Sequence, residues 1–453
     1  MKAGAKPATG FTWPEAVCAS VRNLPEHDRL WVALSGGLDS VLLLHLVVHC
    51  HQGRVPVGAI HINHQLQSNA GDTEAHCRAE CKALGVPVIV RPVTVEKNGT
   101  ESGPGGIEEA ARNARYQVFE ELLEAGDLLL MAHHADDQAE TMLFRFLRGS
   151  GVAGLAGMPR SRALGAGELV RPLLEFERAG LVACARQAGL SWVEDPSNAD
   201  EGYDRNYLRH AILPRLRSRW PGLTRRLKHT SSACAESEQL HQRLASLQLG
   251  ELMDDAGRLS VEGVQALSDA ERKNLLFWWI RTSGSPVPTL ADWGQVANDL
   301  LYAGDDREPE LRGAGFSVRR FQGWLWLVPD PAEFPDSDIL LEPGESVRWG
   351  EWYVRLEPVA GANPENAAKP IRISTRQGGE TLRPHPGGPS RRLKTWFQEQ
   401  GVPPWERPRM PLFFAVSEGE EELVAVGDLW CSDQYSGDAH AAGWRLVVER
   451  DCD

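Results

Sequence analysis

Between residues 30 and 174, short apolar runs alternate with longer stretches in which apolar positions recur every three or four residues. The runs at 30–34 (LWVAL), 57–63 (VGAIHIN), 86–93 (VPVIVRPV), 127–134 (DLLLMAHH) and 168–174 (ELVRPLL) predict five strands. The stretch after Asp39 and those at 70–84, 107–126, 135–148 and 176–189 predict helices. Alternating β and α with apolar strands means a parallel sheet covered on both faces, an α/β doubly wound fold. The run VLLLHLVVHC is too short to cross a membrane and carries His45 and His49, so it reads as a buried helix. In such a sheet ligands bind outside the carboxyl ends of the strands. Two polar clusters sit at those ends: SGGLDS after the first strand and HHADDQAET around the end of the fourth.

Beyond residue 220 the pattern changes. Residues 223–283 read as mainly helical and polar-faced, and 316–328 (FSVRRFQGWLWLV) as a hairpin. PDPAEFPDSD (329–338) reads as a linker, and the part from about residue 340 as short strands punctuated by Gly and Pro. The expected organisation is a catalytic domain at 1–218, a mainly helical middle domain at 219–335 and a small α+β domain at 340–453. The net charge of −14 argues against a general nucleic-acid coat protein. It leaves room for a local basic strip, and residues 204–228 hold eight Arg or Lys against one acid. That strip reads either as a solvated helix face or as a surface that follows phosphates. No Cys-x-x-Cys pair occurs among the eight cysteines, and Cys77 and Cys81 lie one helical turn apart, as small residues on a half-buried face. The opening residues lack the apolar core of a signal peptide, and a cytoplasmic location is expected.

A strand that feeds a Gly-rich turn and then a helix is suited to an anion, because backbone N–H groups and the helix dipole converge there. Gly36 and Gly37 allow close approach, and Ser35 and Ser40 add hydroxyls. Two other readings stay open. In a serine-hydrolase elbow Ser35 would be the nucleophile, but Ala33 replaces the first glycine of that pattern. A capped structural turn is the third. A Walker-type loop is disfavoured, because no Lys follows the glycines. In HHADDQAET, Asp137 and Glu140 are three apart and share a helix face. They read as an acidic first turn or as a site for a divalent cation, an amine, or both; the His spacing matches no standard zinc pattern.

Together SGGLDS, the β-α pattern and HHADDQAET resemble the N-type ATP pyrophosphatase (PP-loop) superfamily and, within it, the tRNA(Ile)-lysidine synthase family. The narrower resemblance rests on HINHQLQSNA (61–70), EEAARNARYQVF (108–119), GSGVAGLAGM (149–158), RPLL (171–174), EDPSNADEGYDRNYLRHAILP (194–214) and the stretch at 376–412. It therefore spans nearly the whole chain. Gln67 departs from it, where relatives often have Arg or Ser, and the Gly-rich loop at 96–106 is an insert with no assigned role.

What the resemblance implies is a ligase that uses ATP to adenylate the wobble cytidine of an isoleucine tRNA with a CAU anticodon, after which free L-lysine attacks. Other PP-loop tRNA-modifying enzymes (the thiolases) and a tRNA-binding protein without turnover are the alternatives. ATP and Mg²⁺ are the implied cofactors. The phosphate motif matches Ser35, Gly36, Gly37, Leu38, Asp39 and Ser40, with His133 beside the nucleotide and Asp39 on the metal. Asp39, Arg112, Arg115 and Asp137 are the implied catalytic residues. Asp137 and Glu140 would hold the lysine amine, and Arg205 its carboxylate. Asn206 and Arg209 are open to a structural reading. Arg209 is also counted with Arg215, Arg217, Arg225, Arg226, Arg391, Arg392 and Lys394 as tRNA contacts. A remote contact is expected because methionine tRNAs share the CAU anticodon and one site seldom suffices for discrimination. Trp396 and Trp405 are expected in the core rather than as stacking platforms. No membrane partner is expected, and a homodimer is a candidate assembly.

Overall fold

The computed structural model describes residues 11–51, 53–63, 70–93, 104–194, 200–288, 293–304, 309–330, 337–359, 369–385, 387–417, 420–436 and 444–450. Residues 96–103 of the expected loop, Gln67 and most of the expected linker fall outside that set, at 94–103, 64–69 and 331–336, and the loop's last three residues, 104–106, are instead the start of a helix. The chain divides into two compact units, Met1–Arg243 and Leu244–Asp453.

The first unit runs α1 (Glu15–Arg22), β1 (Arg29–Ala33), α2 (Leu38–His51), β2 (Val57–Asn63), α3 (Ala70–Leu84), β3 (Val88–Pro92), α4 (Pro104–Leu122), β4 (Asp127–Leu130), α5 (Ala135–Leu147), α6 (Val152–Leu155), β5 (Ser161–Leu164), β6 (Gly167–Val170) and α7 (Arg178–Gln187). Short helix α8 (Asp204–Tyr207), a π-helical turn (Leu208–Ile212), α9 (Leu213–Arg219) and the long α10 (Leu223–Leu252) follow. The sheet order is β3-β2-β1-β4-β6-β5, parallel except for β5. Alternate residues of the central strands feed two cores. Leu30, Val32, Leu128 and Leu130 pack with α2, while Trp31, Leu129 and Ile60 pack with Phe119 and Leu123. Period-two side chains on a sheet buried on both faces require this division. Helix α2 is buried nearly all round, as its composition predicts.

Strand order fixes where a ligand can sit. From β1 the chain steps outward to β3, then returns to place β4 on the other flank of β1. The carboxyl ends of β1 and β4 thus border a switch-point crevice. The pattern at 168–174 is half strand: β6 ends at Val170, and Arg171 turns away, its N–H bonded to the Arg160 carbonyl at 2.8 Å. Strand β5, a reversed edge strand absent from the sequence expectation, is made by a hairpin through Gly165 at φ +57°. A Cβ on Gly165 would lie 2.5 Å from the Glu120 carbonyl oxygen, so this hairpin seats directly on α4.

The second unit opens with β7 (Leu259–Ser260), α11 (Val261–Gln265), α12 (Asp269–Thr282) and α13 (Trp293–Tyr302), then β8 (Glu310–Arg312), β9 (Phe316–Phe321) and β10 (Trp324–Pro329). The expected hairpin is β9–β10. Its two turn residues, Gln322 and Gly323, both have positive φ, as a tight turn matched to strand twist requires. The region read as mainly helical therefore also carries a four-stranded sheet, β7-β10-β9-β8.

The remaining elements are β11 (Ile339–Leu341), β12 (Ser346–Trp349), β13 (Trp352–Pro358), β14 (Ile371–Ser374), β15 (Thr381–Leu382), β16 (Arg391–Arg392), α14 (Leu393–Glu399), β17 (Leu412–Ser417), β18 (Glu420–Val426), β19 (Trp430–Cys431) and β20 (Trp444–Arg450). They form sheets β11-β14-β17-β18-β19, β12-β13-β20 and β15-β16.

Candidate active site

The turn after β1 is tied together by its own hydroxyls. The Ser35 N–H donates to Ser40 Oγ at 3.1 Å, Ser40 Oγ donates to the Gly37 carbonyl at 3.0 Å, and the two hydroxyls lie 3.0 Å apart. Gly36 has φ +85°, and a Cβ there would meet Thr73 Cγ2 at 2.9 Å and Cys77 Sγ at 3.1 Å. Its carbonyl accepts from the Val193 N–H at 3.0 Å. The turn is thus pinned from below by α3 and from the side by the segment after α7, with the first turn of α2 at its open end.

Asp39, in that first turn, faces His134 across the crevice, with Oδ2 3.8 Å from His134 Nε2. Its other oxygen, Oδ1, is buried and has no hydrogen-bond partner among the described residues. Burial holds this carboxyl above its ordinary value, against the pull of His134, Arg178 and Arg209.

His134 caps α5. Its Nδ1 accepts from the Asp137 N–H at 3.3 Å, while Asp137 Oδ2 accepts from the His134 N–H at 3.0 Å. The proton of the ring is thereby directed to Nε2, the nitrogen that faces Asp39. Asp137 and Glu140 converge on one cation. Arg209 donates to both Glu140 oxygens at 2.7 Å and to Asp137 Oδ1 at 3.0 Å. Burial alone would lower the Arg209 guanidinium; the Glu140 and Asp137 carboxylates overcome this and raise it. Its approach depends on the helix that carries it. Pro214 has no N–H to give the turn before it, and that turn widens into the π-helical segment containing Arg209. Arg205, one turn earlier, donates to Thr141 Oγ1 at 2.9 Å. His133 is pushed down to about 4, first by burial and then by Arg171, Arg205 and Arg112, against the pull of Asp137.

Among the described residues Arg209 bonds Asp137 and Glu140, while Asp39 bonds no guanidinium and feels His134 and Arg178 only through space, so the carboxylates are in excess. That excess of negative charge suits a cation or an ammonium group beside a phosphate cradle. Among the described residues no cluster of three or more His, Cys, Asp or Glu is arranged to hold a metal by itself. A hard cation held by one carboxylate together with ligand phosphates is the regime Mg²⁺ favours, and the orphaned Asp39 Oδ1 fits it.

Three family models match the chain: a PP-loop domain at residues 15–216, a TilS substrate binding domain at 259–326 and a TilS substrate C-terminal domain at 371–448. The tRNA(Ile)-lysidine synthase of Alkalilimnicola ehrlichii is 39% identical over 96% of this chain and 97% of its own length. Those of Serratia proteamaculans (38%; 94% of this chain, 96% of that one) and Pseudomonas aeruginosa (39%; 92% of each) are similar over nearly the same span. The chain belongs to the tRNA(Ile)-lysidine synthase family. Membership accounts for the cradle as a PP-loop and removes the hydrolase elbow.

Within this lysidine synthase family frame, the residues expected at the crevice separate into groups. Ser35, Gly36, Gly37, Leu38, Asp39 and Ser40 form the turn, and Asp39, His134, Asp137, Glu140 and Arg209 meet across it. Arg112 lies on α4 with its guanidinium 5.3 Å from the Tyr116 ring centre, and Arg115 is on the same helix. Of the basic strip, Arg215, Arg225 and Arg226 are exposed, whereas Arg217 donates to Asp136 at 2.5 Å. Arg391 and Arg392 form β16 and Lys394 follows; all are exposed, with Arg391 donating to Glu399 at 2.6 Å. Trp396 and Trp405 are buried.

Sequence reasoning read Cys77 only as a half-buried small residue rather than the floor under Gly36, and passed over His134 as the cap and Arg162 and Arg171 beside Tyr116. The cap had a signal, because His134 and Asp137 stand at the spacing of a capping box. A cavity of ≈ 170 Å³ lies against the opposite face of α5, lined by Gln138, Met142, Met158, Thr224 and Ser231 among others, and includes none of the expected site residues.

Proposed function

We propose that this protein is a working tRNA(Ile)-lysidine synthase, a ligase that joins free L-lysine to carbon 2 of the wobble cytidine in isoleucine tRNA with a CAU anticodon, at the expense of ATP. The observation that carries this reading is the crevice itself: a phosphate cradle on one strand end faces a surplus of carboxylates on its neighbour. The cradle N–H groups and the hydroxyls of Ser35 and Ser40 would receive the ATP phosphates. Mg²⁺ would be held through Asp39 and would neutralise phosphate charge. Arg112 and Arg115 would take up charge as the cytidine oxygen bonds to the α-phosphorus and pyrophosphate leaves.

The lysine amine, with an ordinary pKa of about 10.4, arrives as ammonium and must lose a proton before it attacks carbon 2 and AMP departs. Glu140 gives both oxygens to Arg209 and is buried, whereas Asp137 gives Arg209 one oxygen and the His134 N–H the other and is the more exposed, so Asp137 is the better proton acceptor of the two. Arg205 would hold the lysine carboxylate. The exposed arginines at 215, 225 and 226 and the basic group at 391–394 would track tRNA phosphates. Trp405 is buried against Phe321 and Trp326, which favours packing over base stacking.

No described helix is long and apolar enough to cross a membrane, and a cytoplasmic site of action accords with the substrates. Leu240, Leu244 and Leu247 are exposed at helical spacing on α10, the surface on which a homodimer would rest; light scattering tests it.

The deciding experiment measures pyrophosphate release from ATP by wild type and Asp39→Asn, with lysine and a CAU isoleucine tRNA transcript added separately and together. Release that requires the tRNA, incorporation of lysine into it, and loss of both in Asp39→Asn are expected. Intact ATP under every combination would refute the reading.

A further inference from the structure

The first unit collects cations that no carboxylate among the described residues pairs with. Arg112 and Arg162 place their guanidiniums 5.3 and 4.9 Å from the centre of the Tyr116 ring. Arg171 is 2% exposed; its Nη1 donates to the Pro159 carbonyl at 2.7 Å, and its Nε is buried with no hydrogen-bond partner among the described residues. Arg145 reaches the Gly154 and Gly157 carbonyls at 3.0 and 2.8 Å. Among the described residues none of these four arginines forms an ion pair with a carboxylate, although the chain as a whole carries a net charge of −14.

The arginines feel one another. Burial, then Arg112 and Arg205, lower Arg145; burial would raise the Tyr116 hydroxyl, but Arg112, Arg171 and Arg162 bring it below its ordinary value. Gathering like charges and burying one of them costs stability unless an anion is received there. The arrangement is built by the fold: the Gly165 hairpin seats β5 on α4, which brings Arg162 to Tyr116, and Tyr116 Oη donates to Met131 Sδ at 3.7 Å just past β4.

We propose that Arg162, backed by Arg171 and Tyr116, binds a backbone phosphate of the RNA next to the wobble cytidine. This rests on the reading of the protein as a lysidine synthase and assigns to it a contact outside the cradle. ATP phosphates already have the β1 turn, with Arg112 on their flank, whereas Arg162 on β5 and Arg171 after β6 lie toward the β6–β5 edge, on the far side of β4. Its effect on His133 keeps it contiguous with the crevice. A phosphodiester held there would fix the nucleotide whose base must leave the stack.

The test uses the full-length protein and a CAU isoleucine tRNA transcript. Arg162 is exposed, so Arg162→Ala should fold as wild type. Its tRNA affinity is expected to fall about tenfold, and the slope of log affinity against log salt by about 1. Arg162→Lys should recover part of the loss, and ATP affinity should not change. In wild type, a neutral methylphosphonate at one of the two phosphates flanking the wobble cytidine should weaken binding by the same factor; in Arg162→Ala it should have no further effect. Unchanged tRNA affinity at all salt concentrations would overturn the assignment. So would an equal loss of ATP or pyrophosphate affinity, which would give the corner to the nucleotide. Failure of the wild-type protein to bind the transcript or to form lysidine would instead refute the function on which the proposal rests, and the proposal with it.

Discussion

At the scale of single residues, two positions convert geometry into measurable consequences. Gly36 combines a left-handed backbone with contacts that leave no room for a side chain. Gly36→Ala is expected to cost about 1–3 kcal/mol of stability. ATP affinity should fall by about tenfold or more, because the displaced turn is the proposed phosphate cradle. Urea unfolding and equilibrium ATP binding check both. His133, with a folded value of about 4 against an ordinary value near 6.5, is neutral in the native protein at neutral pH. The unfolded chain binds the extra proton first, so this residue removes stability as pH falls from about 6.5 toward 4, on the order of 3 kcal/mol in all. His133→Gln should unfold with a shallower pH dependence across that window. Equal slopes for the two proteins would show that His133 is not held neutral.

Elements decide which charges meet. The π-helical turn before Pro214 delivers Arg209 to α5, and Glu140, itself 2% exposed, depends on that guanidinium. Arg209→Met leaves a buried carboxylate unpaired and is expected to cost about 2–4 kcal/mol, less than for a fully buried pair because the Arg209 side chain is about one-third exposed. Arg209→Met combined with Glu140→Gln should recover much of this, a coupling that a double-mutant cycle by thermal unfolding reads directly. The β5–β6 hairpin makes a second test. At Gly165, φ is +57° and the Glu120 carbonyl is too close for a Cβ, so Gly165→Val should destabilise the first unit by several kcal/mol.

For the whole molecule, each unit has its own core: one around the parallel sheet, another joining α11–α13 to β7–β10, and others among the C-terminal sheets. Unfolding is therefore expected to depart from a single two-state transition. Saturating ATP with Mg²⁺ should raise only the transition carried by the first unit, by about 2.7 kcal/mol at a hundredfold excess over Kd. Scanning calorimetry with and without nucleotide checks this, and an equal rise of all transitions would count against separate units.

By itself the sequence determined the alternation of strands and helices, the strand–turn–helix form around SGGLDS with its buried helix, and the shared face of Asp137 and Glu140. Each follows from local spacing, because side-chain periodicity and turn chemistry act over a few residues. Motif order along the chain was enough to point to the family. The tertiary structure alone decided that Arg209 neutralises Glu140, that Cys77 underlies Gly36, and that arginines from α4, β5 and the turn after β6 crowd one tyrosine. Apart from Arg112 and Tyr116, one turn apart on α4, these partners lie far apart in sequence, and no periodicity links them. The reversed edge strand was missed for the same reason: its place depends on how closely a glycine turn can approach another helix's backbone, which is a property of packing rather than of any local pattern.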